Sequence, residues 1–297
     1  HHSKLLVMHN TVFLGNDAKT FGGGLAIVKA YGLLKMGNTT FINNAAGSDG
    51  GGCYLIEIKM CSMMNIMFKN NTAIEVGGAV YILRTILSVI YNTIFTANVG
   101  YKYGGGIFIS YLTRSLTIEN TMFVNNRAMG GDGGGCQLQD VNKCLIVNST
   151  FKFNFAYDRG GAIRIYKTNL AVLSNSMFIA NMAKGYAGGF FIEESAGLLK
   201  IENTKIDNNS AIENGGGGCL LWDIAACLII NTEFKNNFAK VEGGAAKISL
   251  LGSLVVINTK FLQNDAGFAG DISFFSTNLF MCAIYQFFAT RESGCLY

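Results

Sequence analysis

The sequence predicts an all-β chain wound as a right-handed parallel β-helix of about ten coils, and three observations predict it. An asparagine recurs at Asn10, Asn38, Asn65, Asn92, Asn120, Asn148, Asn175, Asn203, Asn231 and Asn258, at a nearly constant interval. Three residues after each stands Phe13, Phe41, Phe68, Phe95, Phe123, Phe151, Phe178, Phe234 or Phe261, with Ile206 as the one substitute, and a second asparagine follows three residues later, from Asn16 to Asn264. Between these marks the apolar residues alternate with period two over four to six residues, a strand signal, and no window has helical spacing. A fixed period of this length is the mark of a stacked array, in which each unit is stabilised by its neighbours.

Each coil has the same grammar. A strand such as LSVIYN (87–92) or LTIEN (116–120) comes first. Then follow N-T-x-F-x-x-N, a variable polar loop, a glycine pair or triplet, and a second strand such as AVYIL (79–83) or IFIS (107–110). Stacked in register at about 4.8 Å, the phenylalanines form an aromatic column inside the coil. Both asparagine columns, the one running from Asn10 to Asn258 included, are expected to form amide ladders that cap the turns. The glycines before the second strand supply positive φ or a close approach between coils.

A longer period lies on top. Cys53, Cys136 and Cys219 are evenly spaced, and Cys61, Cys144 and Cys227 repeat at the same interval, so three coils form one superunit copied about three times. The array covers residues 1–272, and 273–297 read as a degenerate terminal coil. There Phe288 is expected to hold the phenylalanine register, while Tyr285 and Arg291 replace the two asparagines. Loss of ladder residues suits a cap over an open strand edge. The opening LLVMHN fits the middle of a coil, which predicts a fragment of something longer.

Composition agrees with a long core. Half of the 297 residues are apolar, only 14% are charged, and proline, which cannot donate a ladder hydrogen bond, is absent. The net charge of +4 comes from scattered lysines rather than a basic stripe, which argues against nucleic acid as a partner. No run of about 18 apolar residues suggests a transmembrane helix.

GGAV (77–80) and GGAI (160–163), alternating with FINN (41–44), FKNN (68–71) and FVNN (123–126), resemble the repeats of the chlamydial polymorphic outer membrane proteins. The likeness runs through essentially every coil. It implies a surface-exposed β-helix passenger used in adhesion. The strict three-coil superperiod and the lack of proline depart from that family.

Chemistry-bearing residues are few. The cysteines fall into four local pairs, Cys53 with Cys61, Cys136 with Cys144, Cys219 with Cys227 and Cys282 with Cys295. Each pair could bridge a coil corner if its Cα atoms come within about 7 Å, which would imply an oxidising compartment. The alternative is buried thiols acting as small hydrophobes. Asp49 with Glu75, and Asp132 with Asp158, lie on neighbouring coils in the loop before the glycines, where they could hold Ca²⁺ with loop carbonyls or serve as solvated turn formers. The column Glu57, Asp140, Asp223 is spaced three coils apart, too far to share a metal or a proton. Trp222, the only tryptophan, falls at a coil corner and could stack on a sugar. N-x-S/T begins at Asn38, Asn70, Asn148 and Asn208; ladder positions argue against glycans at Asn38 and Asn148, leaving Asn70 and Asn208 as acceptors. No cofactor and no catalytic group is expected. The expectation is a structural extracellular or cell-surface rod of a layer, fibre or adhesive stalk, associating end to end through 5–10 and 274–288 or with other surface proteins. The alternative is a carbohydrate-binding or polysaccharide-degrading β-helix.

Overall fold

The computed structural model describes residues 5–277, 280–283 and 287–288, with side chains through Phe275. It is a right-handed parallel β-solenoid of about ten turns. Three sheets of 17, 11 and 10 strands run the length of the molecule. A representative coil passes from Ser115–Glu119 in the first sheet to Met122–Val124 in the second and Arg127–Ala128 in the third. It returns to the first sheet with Cys136–Val141 and Lys143–Val147, two arms joined at a corner. From residue 163 to 257 the arms fuse into single long strands, such as Ile163–Ser174 and Cys219–Ile230.

Equivalent residues stack. Phe95, Phe123 and Phe151 are register partners, with ring centroids 4.6 Å apart and planes within about 6°. The column runs unbroken from Phe13 to Phe178. At the Ile206 coil a different residue fills the space: Phe190, inward-facing on the first sheet, tilts its ring 60° onto Phe178 at 5.0 Å. Close packing requires that volume to be filled.

The two asparagine columns differ. The second is a buried ladder: Asn126 donates from Nδ2 to Asn154 Oδ1 at 3.0 Å and to the Phe95 carbonyl at 2.9 Å. Its Oδ1 accepts the backbone N–H and the amide of Asn98 at 3.1 and 2.9 Å. The same set repeats from Asn44 to Asn237. The first column, Asn10 to Asn258, does not form the continuous ladder that its spacing predicts. It is exposed, with φ of 47–56°, and only some neighbours bond, as Asn92 to Asn65 at 2.8 Å. Asparagine is there because it tolerates the left-handed region that a sharp corner needs.

A third column hides between them. Thr121 donates its hydroxyl to the Glu119 carbonyl at 2.9 Å, and its backbone N–H donates to Ser149 Oγ at 3.2 Å. The glycine segment is set by contact as much as by φ. Gly133 has φ +67°, and a Cβ on Gly134 would lie 2.3 Å from the Gly161 carbonyl oxygen of the next coil.

In the last coil Phe261 pairs with Phe287, so this coil is shorter than its neighbours and the register falls just before the expected Phe288. Ala246 with Ile272 keeps the same shorter spacing. Tyr285 and Arg291 lie outside the described residues.

Candidate functional site

The variable loops, which the repeat grammar leaves unspecified, fold over the outer face of the first sheet's first arm. The outward column there reads Tyr54, Tyr81, Phe108, Gln137, Arg164, Phe191, Leu220, Lys247 in register. Its start is an aromatic ladder, Tyr54 to Tyr81 at 5.4 Å and Tyr81 to Phe108 at 5.6 Å. Further on, Ala187, Phe191 and Leu220 form a second small core with Tyr186. Between these two apolar stretches sits a buried polar cluster that sequence reasoning missed. Arg164 pairs with Asp132 of the preceding coil at 3.1 Å and with Glu193 of the following one. Asp132 also accepts the Arg159 backbone N–H at 3.0 Å, and Gln137 accepts from Arg164 Nη1 at 3.3 Å. Burial pushes the Asp132 carboxyl up to about 6, against the pull of Arg164; Asp158 adds to the rise and Arg159 opposes it.

The carboxylate pairs considered for calcium do come near each other, but cations of the chain face them. Glu75 pairs with Lys102, Asp158 with Arg159 at 3.3 Å, and Asp132 with Arg164. Asp49 is raised by burial, which Val76 and Ser48 hydrogen bonds oppose and the Glu75 charge reinforces. Among the described residues no three His, Cys, Asp or Glu side chains converge as a metal site would require.

The expected bridges at Cys53–Cys61, Cys136–Cys144 and Cys219–Cys227 are not formed: all six are free, buried thiols. Leu55 and Ile58 are buried in the stretch of chain that joins the first two, as Leu138 and Val141 are for the next pair. The first two pairs have one cysteine on each arm, Cys53 in Cys53–Ile56 and Cys61 in Met60–Met64, Cys136 in Cys136–Val141 and Cys144 in Lys143–Val147. Burial pushes Cys53 well above its usual value, the neighbouring Cys61 adding to it, and lifts Cys61 and Cys144 to about 12. Thiols held neutral in this way are packing groups rather than nucleophiles. Cys282 and Cys295 as a pair fall outside the described side chains.

Where the two arms of the first sheet meet, a cleft of about 910 Å³ crosses several coils. Asp140, Lys167, Glu194 and Asp223 line one wall, each with φ of 51–58°. Asn142 and Asn169 line the other, bonded to each other at 2.8 Å. Asp140 and Asp223, which spacing alone keeps apart, thus share one cleft, with Lys167 and Glu194 between them at 3.7 Å. Ser195 lies beneath the cleft, its buried hydroxyl without a partner among the described residues. Beyond Leu250 a smaller cavity of about 460 Å³ is walled by Trp222, Tyr186, Phe191, Leu220, Arg159 and Lys247. Trp222 is 47% exposed.

The acceptors Asn70 and Asn208 are exposed at second-sheet corners with φ of 54° and 56°. Asn38 and Asn148, which their spacing marks as ladder residues, are exposed as well, because the buried ladder is the other column.

In-register columns, buried amide ladder and loop-roofed sheet define a structural class, the parallel β-solenoids. The family model described as right-handed beta helix region matches residues 56–239, and the chain belongs to that family. No curated protein and no solved structure matches it.

Proposed function

We propose that the chain is a structural rod of an extracellular or cell-surface assembly, a layer, fibre or adhesive stalk, rather than an enzyme. The observation that supports this reading best is the spine of fully buried Phe rings and hydrogen-bonded Asn side chains that ties each coil to the next. Stacked amides and rings of this kind resist bending and local opening. The acids nearest to forming a site are matched by Lys102, Arg159 and Arg164, which suits cross-coil bracing. Surface placement rests on the GGA[IV] and F-x-x-N resemblance and on the exposed sequons; the free thiols lend it no support. End-to-end association through 5–10 and 274–288 belongs to the same proposal, with Leu5 and Val7 exposed at one end. Antibody labelling of intact source cells, viewed by electron microscopy, should find the protein outside the envelope as rods or filaments. Label confined to the cell interior overturns the proposal.

The cleft favours a second reading, glycan binding. Its carboxylates and amides suit sugar hydroxyls, and Trp222 offers an aromatic face beside it. Because Trp222 is the only tryptophan, fluorescence titration with neutral oligosaccharides reports on this corner alone. Saturable quenching is expected on this reading; an unchanged spectrum removes it.

A further inference from the structure

The second arm of the first sheet presents a face that no described residue of another element covers. In Leu87–Tyr91 alternate residues are buried and the others are partly open, and this pattern recurs in Ser115–Glu119 and Lys143–Val147. The outward residues stack into three columns along the coil axis. The central one carries Val7, Val89, Leu145, Val172, Leu228 and Val255, interrupted by Lys35, Ser62, Thr117 and Lys200. Across all three columns the acids and lysines are Lys35, Glu119, Lys143, Lys200 and Glu202, and the last two neutralise each other at 2.6 Å.

We propose that this face is a lateral interface between two copies of the chain. Size is the first argument. Ten coils at about 4.8 Å and five-residue strands at about 3.3 Å per residue give a face of about 800 Å². That is what each partner buries in a standard stable interface. Charge is the second. With three lysines and two acids, one lysine and one acid already paired, two copies of this face meet without appreciable like-charge repulsion. The second sheet does not offer the same surface, because its outer face carries Lys205, Asp207, Glu233, Lys235 and Lys260 over the last coils. A sheet face packs on its own copy about 10 Å away, as the two sheets of a sandwich do. The inference is independent of where the rod works, and it differs from end-to-end growth in closing at two copies.

Sedimentation equilibrium across a concentration series tests it on three proteins: the unaltered chain, Val172→Lys and Val89→Lys. Thr150→Lys, which adds the same charge on the second sheet, is the control. The expected result is a dimer with a dissociation constant of about 1 µM or tighter, weakened at least tenfold by either valine substitution and unchanged in the control. Circular dichroism should be the same for all four, since both valines point outward. A chain that stays monomeric, or a dimer indifferent to both valine substitutions, overturns the proposal. So does a monomer that floats with neutral phospholipid vesicles until Val172→Lys is introduced, which would assign the face to lipid.

Discussion

Asn126→Ala should cost about 3–5 kcal/mol of stability, from buried groups each worth about 1–3 kcal/mol when they lose a partner. Asn126 is fully buried and serves three coils at once. Its loss leaves the Asn98 backbone N–H without its acceptor and takes a donor from the Phe95 carbonyl on the preceding coil, while Asn98 Nδ2 keeps the Phe68 carbonyl and Asn154 Oδ1 on the following coil keeps the Asn126 backbone N–H. Water cannot reach them, because the phenylalanine column and the third sheet close over the site. Asn120→Gly is the informative control. Asn120 belongs to the exposed column at φ 50°, and glycine adopts that conformation freely, so a change within about 0.5 kcal/mol is expected. Urea denaturation of the two variants decides the matter. Equal midpoints would mean that the buried ladder contributes no more than its exposed counterpart.

Arg164→Ala should cost about 3–5 kcal/mol at neutral pH, the usual result of removing one partner from a buried ion cluster. Asp132 and Glu193 would remain under the loops with no cation between them. The deficit should shrink as pH falls. Burial already raises the Asp132 carboxyl in the folded protein to about 6, above its unfolded value of 3.8. The folded state therefore binds a proton in that interval that the unfolded state does not, and this group's contribution to stability rises as pH drops through it. Without Arg164 the uptake begins at higher pH still. The simultaneous change Asp132→Asn, Arg164→Met, Glu193→Gln should recover most of the loss, since a neutral cluster has no charge to desolvate. Melting curves at pH 7 and pH 5 test both statements. A variant equally impaired at the two pH values would show that Arg164 acts through packing alone.

The end of the chain shows how local a register can be. Spacing places Phe288 over Phe261, whereas the backbone pairs Phe287 there because the final coil is shorter than those before it. With the asparagines gone, nothing in the sequence marks the turn that sets the count. Ile206 shows the opposite case. Its break in the phenylalanine column is plain in the sequence, but the compensating Phe190 comes from another sheet, on the strand that precedes it.

The sequence by itself determined the coil length, the all-β class, the inward phenylalanine column and the existence of two asparagine columns. Residues that return at one fixed interval in a strand-forming chain can only stack on one another, and stacking requires no knowledge of the third dimension. Only the tertiary structure decided which asparagine column is buried, since both have the same spacing and the difference lies in which corner turns its side chain inward. It alone showed that Cys53 and Cys61 are free, buried thiols on separate arms of the first sheet. It alone brought Asp132, Arg164 and Glu193 together beneath loops whose sequences do not repeat. Those contacts join neighbouring coils through side chains of unlike type, and periodicity records only what is alike.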